Sequence, residues 1–430
     1  MSNKLNIFLA SLLIIAGCGS ESAKDHRTVT VWHWMSDREE AFVELAEQYR
    51  QLTGQKIAFD LYAPSESYSS KIKAAAQTNT LPDIFGVLGE SRDLASFIRS
   101  GFVAELSGII DKVDTGFFQD TLFEKAVSVN KFVADNHYKV EPGIYGVPLD
   151  ITTIQMVYNR KLFRQAGLNP DMPPKTWDEF MDAARRLKDR KIPVFVGGFG
   201  EIWMLDALSS NWAMNIMGEE KVFDTYRGKV PYTDPDWVKV LGLFKQMTDE
   251  GIFTSGAVTM VNKSAEQAFA NERAAIGYNG SWCVNVYKGM NPDLDYAAML
   301  PPAISAENPM KIWGGAGSSF MVNNKSERKE AAIRFLRWLS EKEQQAFLAN
   351  ATNNLPANRH SLKNIAPILS QFADDIDNAV HPNNYPVHEA HLVTEAFAKG
   401  IQSIMIGEKT PEEVAAHVQE VKERETAKGF

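Results

Sequence analysis

The residues best suited to chemistry in this chain are flat aromatics placed close to carboxylates and glycines. A polyhydroxylated ligand offers hydroxyls on its edge and C–H groups on its faces. It is held by aromatic faces together with groups that accept or donate strong hydrogen bonds. The chain has nine tryptophans, enough for such a site, although tryptophan also fills cores. Trp32 and Trp34 share one face at the end of the first strand, with His33 on the other. Trp34 lies further out and either stacks on a ligand or packs inward. Tyr68 follows the second strand among Ser65, Glu66 and Ser67. Glu90 follows the third beside Gly86 and Gly89, where it either accepts from hydroxyls or favours the dipole of the next helix. In open α/β sheets these strand ends face the ligand. Asn279-Gly280-Ser281-Trp282 is a sharper motif, because Gly280 permits a turn from which Trp282 projects. Trp313-Gly314-Gly315 would let backbone N–H groups approach a ligand closely.

Other chemistries leave no comparable trace. There is no Gly-x-Ser-x-Gly elbow, no Walker A loop and no His-Glu-x-x-His helix. His388-Glu389-Ala390-His391 is spaced for one helix face but lacks convincing metal partners. A glycosidase needs two positioned carboxylates, and with 54 acidic residues the sequence does not discriminate.

The elements that must position these residues alternate. Thr28 to Trp32 reads as a strand. Phe42, Leu45, Ala46 and Tyr49 then form one apolar helical face, and Gly54 stops it. Lys56 to Leu61 is the next strand, completing the unit that builds parallel sheets. Helices are expected over Ser69 to Gln77 and Arg92 to Arg99, with a strand from Asp83 to Val87 between them. Thr176 with Glu179 and Ser340 with Glu343 read as capping boxes. Glu141-Pro142-Gly143 precedes a strand-like run from Ile151 to Tyr158. Pro301-Pro302 follows another from Tyr296 to Leu300. Both are plausible passages between domains. The fold class is α/β.

The N-terminus carries Lys4 and then an apolar run from Leu5 to Ile15, too short to span a bilayer. Residues 1–17 read as a signal peptide. The run ends in Ile15-Ala16-Gly17-Cys18, which looks like a lipobox. Cys18 would be acylated, with residues 18–27 as a tether. Cys283 would then stand alone, with no intrachain disulfide. The formal net charge of −9 disfavours a nucleic-acid role.

Several segments, in order, resemble the sugar-binding family of extracellular solute-binding proteins of bacterial ABC importers, which includes the maltose-binding protein. They are Val29 to Trp34, Leu81 to Phe85, Tyr145 to Asp150, Val157 to Phe163, Pro174 to Phe180, Ala275 to Trp282, and Gly314 to Asn323. The resemblance runs from about residue 28 to about residue 360. It implies a two-lobed periplasmic-binding-protein fold, with a ligand cleft between the lobes and crossing hinge segments. Residues 28–150 and 297–350 would form the N-terminal lobe, and 151–296 with 351–430 the C-terminal lobe. It also implies a ligand role for Asp150 at the lobe crossing, for Trp203 or Trp212 over the ligand, and for Arg359 from the second lobe. The function implied is a monomeric, lipid-anchored, extracytoplasmic protein. It would capture a sugar without a cofactor or metal and deliver it to the importer's permease subunits. A binding protein for another polar solute and a secreted carbohydrate-active enzyme stay open as alternatives.

Overall fold

The computed structural model describes residues 28–63, 65–88, 91–110, 116–136 and 138–427. The signal-peptide and tether segments, with Cys18, lie outside the described residues, as does Glu90.

The chain opens as expected. Strand β1 (Thr28–His33) pairs in parallel with β2 (Lys56–Leu61), from Thr28↔Lys56 to His33↔Leu61. Helix Glu39–Thr53 connects them and buries Phe42, Leu45 and Tyr49. Gly54 ends that helix in the left-handed region at φ 77°, where its N–H bonds to the Arg50 carbonyl. The strand expected over Asp83 to Val87 shrinks to β3 (Ile84–Phe85), paired with β1. Asp83 is instead a buried anchor. It accepts from the Thr30 N–H at 2.8 Å, Ser326 Oγ at 2.5 Å and Arg328 Nε at 2.9 Å.

After a small ribbon of β4 (Lys131–Phe132) and β5 (Gly143–Ile144), strand β6 runs from Val147 to Asn159. Its 13 residues are more than twice the usual strand length, and it serves two sheets. β7 (Phe195–Gly197), β8 (Ile276–Gly280) and β9 (Tyr296–Met299) belong to its second half, where Ile154 to Asn159 pair with β8 and β9. Its first half, Val147 to Thr153, pairs with β10 (Ile312–Val322). β10 also pairs with β3, giving the order β2-β1-β3-β10-β6-β8-β7. Two short strands complete the crossing. β11 (Leu355–Pro356) pairs with β6, and β12 (Ala379–Val380) with β10. The register of β10 against β6 shifts between Ala316 and Ser318 and again between Ser318 and Ser319.

Residue 297 lies inside β9, whose partner is the second half of β6. Residues just past 351 stay with the first sheet's helices: Asn358 Nδ2 donates to the Ser340 carbonyl, and Ala357 N–H donates to Gln345.

Among the described residues three apolar clusters back the sheets, two of them large. Phe42 stacks on Phe59 at 4.6 Å, and Tyr49 meets Phe335 on the first sheet's helical face. On the second sheet Phe180, Phe195, Trp212 and Phe244 pack together with Val393, Phe397, Val414 and Val418. The last four residues come from helices His391–Met405 and Pro411–Ala427, so the helical tail completes the second core. The Thr176–Glu179 capping box forms. The one expected at Ser340 does not, because Ser340 closes the preceding helix and its hydroxyl donates to the Leu336 carbonyl. Among the described residues no helix is long and apolar enough to cross a membrane.

Candidate functional site

Where β6 and β10 cross, a buried ion pair forms the floor. Asp150 is 2 % exposed. It pairs with Arg38, from the turn after β1, and accepts from the Ser318 N–H at 2.7 Å and from its hydroxyl. Arg38 also donates to Ser318 Oγ at 2.9 Å. Burial pushes the Asp150 carboxyl above the usual range, and Arg38 opposes that shift. The carboxylate expected to meet a ligand is therefore committed to the crossing itself. Removing one partner of such a pair strands the other charge in the interior.

The first wall rises from the carboxyl ends of β1 and β3. The Trp34 ring lies flat on Gly86, and a Cβ there would overlap it. Tyr68 was expected at the cleft but is fully buried beneath this contact, 5.1 Å from the Trp34 ring. Its hydroxyl accepts from the Gly86 N–H at 2.7 Å and donates to the Gly86 carbonyl at 2.9 Å. Tyr68 supports the wall and offers nothing to a ligand. In front of Trp34 lies a cavity of about 160 Å³, bordered by Val87, Leu88, Asn130, Ser318 and His381. Ligand pockets usually measure 300–1,000 Å³, so this hollow is half a site. Among the described residues no lysine or arginine lines it. A larger hollow of about 690 Å³, bordered by Lys73, Phe102 and Lys325, opens on the outer edge near helices Ser65–Thr78 and Ser91–Arg99, away from the strand ends.

The second wall rises beyond β7 and β8. Trp282 folds back over Gly280, which has no side chain to obstruct it. Its indole N–H donates to Glu266 at 3.1 Å. Trp203, 36 % exposed, lies in the first turn of helix Ile202–Tyr226 and donates to Glu201 at 2.7 Å. The two rings stand 6.1 Å apart. Asn262 ties the two carboxylates together: its N–H donates to Glu201 at 2.7 Å and its side chain to Glu266 at 3.0 Å. Both indoles are thus pinned at their polar edge, with their faces left over for contact.

The wall continues along helix Ile202–Tyr226. Ser210 accepts from the Trp313 indole at 2.8 Å, and the Tyr385 hydroxyl lies beside both. β12 pairs with β10 at Trp313↔Val380, which brings the next residue, His381, to the rim of the first cavity. Burial lowers the His381 pKa to about 4, so its ring is neutral at pH 7. Between Trp203 and Ser210 sits Asp206, recessed but not sealed from solvent, with its pKa pushed up by burial to about 7.

The family profile described as bacterial extracellular solute-binding protein spans residues 44–377. The chain belongs to that family. The multiple sugar-binding protein of Streptococcus mutans is 20% identical over 78% of this chain and 77% of its own length. The sn-glycerol-3-phosphate-binding periplasmic protein of Escherichia coli is 24% identical over 49% of this chain and 48% of its own. An ABC-transporter solute-binding protein from Thermotoga lettingae, bound to α-D-tagatose, superposes with a TM-score of 0.69 at 18% identity. That match covers 93% of this chain and 99% of the other. The two-sheet architecture is that of the two-lobed solute-binding proteins, and the relatives are binding proteins rather than enzymes.

In this solute-binding protein, Trp34, Trp203, Trp282 and Trp313 stand along the two walls. Trp212 is fully buried and donates to the Pro302 carbonyl at 3.3 Å, so Trp203 is the outward member of that pair. Arg359 was expected from the second lobe. It lies instead on the first-sheet side, donating to the Leu122 carbonyl at 2.6 Å and resting against Phe123. Asp206, Glu201, Glu266 and His381 were missed. The i, i+3, i+7 spacing of Trp203, Asp206 and Ser210 was a readable signal. His381 had none, because only the β10–β12 pairing brings it to the site.

Proposed function

We propose that this protein captures a neutral sugar between the two walls and delivers it to the permease of an ABC importer. The observation that carries the reading is the pair of pinned indoles. Trp203 and Trp282 are fixed by Glu201 and Glu266 at their N–H edges, which leaves aromatic faces toward the opening. Trp34 and Trp313 add further faces at its rim. Such faces suit the C–H side of a sugar ring, and the nearby amides and hydroxyls suit its edge. An anionic ligand such as a phosphate ester would want cations, and among the described residues the cavity lining has none. Arg38, the nearest guanidinium below it, is spent on Asp150.

The proposed N-terminal lobe is the sheet of β1, β2 and β3 with the first half of β6. The proposed C-terminal lobe is β7, β8 and β9 with the second half. Ligand touching both lobes stabilises the closed form, a population shift driven by that differential contact. Export and acylation at Cys18 would keep the protein at the outer membrane surface, where the closed form meets the permease. The test is a thermal-shift and calorimetric screen of neutral mono- and oligosaccharides alongside sn-glycerol 3-phosphate. Stabilisation by at least one sugar and none by the phosphate ester is expected. Silence from every sugar would overturn the reading.

A further inference from the structure

Asp206 is a carboxyl with nothing to bind. It lies on helix Ile202–Tyr226, one turn after Trp203 and one turn before Ser210, on the face that carries the second wall. Among the described residues no N–H or O–H donates to its carboxylate and no lysine or arginine pairs with it. Only its backbone carbonyl is used, accepting from Ser209 Oγ. This contrasts with Asp150, Glu201 and Glu266. Asp150 has Arg38 and Ser318. Glu201 and Glu266 each have an indole and Asn262.

A recessed carboxyl without donors is costly in its charged form. Folded proteins rarely leave such a group unless solvent or a ligand completes it. The groups that feel its charge are phenols: Tyr278 on β8, Tyr226 on the same helix, Tyr232, and Tyr385 from the segment after β12. All four are held protonated by burial. The nearby ions are already paired, Glu219 with Lys311 and Glu389 with Lys422. His381 is neutral above about pH 4. Among these described residues, Asp206 is thus the group of this wall left to titrate near neutrality.

We propose that Asp206, as a carboxylate, accepts hydrogen bonds from the ligand's hydroxyls, and that capture of a neutral sugar therefore releases a proton to solvent. The inference rests on the sugar-binding reading above. Hydroxyl donors favour the charged form, so the bound protein holds Asp206 ionised where the empty protein holds it protonated. Its pKa of about 7 in the empty protein falls on binding. By linkage, affinity rises with pH below 7, by up to about tenfold per unit for one proton, and levels off above it. A ligand that instead accepted from a protonated Asp206 would bind with proton uptake and lose affinity as pH rises.

The experiment is calorimetry of the binding sugar at pH 6 and pH 8.5, each in two buffers of different ionisation enthalpy. The measurement is repeated on Asp206→Asn. The expected result is release of a fraction of a proton at pH 6 and none at pH 8.5. Asp206→Asn should bind at least tenfold more weakly at pH 8.5, with no proton exchanged at either pH. Wild-type affinity in the variant, or proton uptake by the wild type, overturns the inference while leaving sugar binding intact. Absence of any binding sugar overturns both. If the variant does not fold, as judged by its melting curve, the wild-type proton count at the two pH values decides alone.

Discussion

Trp34 and Trp203 both lie beyond the carboxyl end of a strand, yet their surroundings differ. Trp34 rests on Gly86, which is held from below by the Tyr68 hydroxyl, so the first wall is backbone and core with one ring laid on it. Trp203 and Trp282 are held at their N–H edges by side chains, Glu201 and Glu266, which Asn262 ties together. In the first wall the Tyr68 hydroxyl is satisfied by the Gly86 backbone. The second keeps one carboxyl open. A protein that must bind tightly and let go gains from such a division: one wall gives shape, and the other gives hydrogen bonds made only with ligand present.

The largest effect that separates floor from walls is expected at Arg38. Arg38→Ala leaves Asp150 buried without its cation, which should cost about 3–5 kcal/mol in stability. A urea titration measures it, and a loss below about 1 kcal/mol would show the pair to be dispensable. Next is Gly280→Ala, whose Cβ would overlap the Trp282 ring and swing it off Glu266. Sugar affinity should fall as far as in Trp282→Ala, about tenfold or more, equal to about 1.4 kcal/mol. Equal affinity to wild type would remove Trp282 from the site. Glu201→Gln keeps an acceptor for Trp203 but weakens the charge-assisted bond, so only a few-fold loss is expected by calorimetry.

The smallest effect is a pH trend in stability. His33 is buried between Phe42 and Phe59, and burial together with Arg38 lowers its pKa to about 4. The unfolded chain protonates it near pH 6.5. Its contribution is present above that pH and is lost as pH falls through about 4. His33→Phe should flatten the melting temperature between pH 6.5 and 4 relative to wild type. An unchanged slope would assign the acid limb to other groups.

The parallel start of the fold was legible because each of its elements declares itself locally. Phe42, Leu45 and Tyr49 mark a helix face, Gly54 stops it, and the β1–β2 register follows. The crossings were less legible. β6 serves two sheets without any break in its sequence pattern, since Val147 to Asn159 is buried on nearly every residue. The same limit explains Asp150 and Tyr68. Asp150 lies within β6 and Tyr68 in the first turn of helix Ser65–Thr78, and each is claimed by a partner far away in sequence, Arg38 and Gly86. Trp282 sits beside Gly280 and Trp34 just past the end of β1, and those neighbours fix where each ring goes. Asp206 looked like an ordinary helix residue. Only the lack of any donor around it sets it apart.

The most direct test of sugar capture between these walls is a tryptophan-fluorescence titration with the sugar found by the screen. It should be run on the wild type, Trp203→Phe and Trp34→Phe. The account predicts a saturable change in the wild type that shrinks in both variants, since the ligand meets one ring from each wall. A full wild-type signal and affinity in both variants would contradict it.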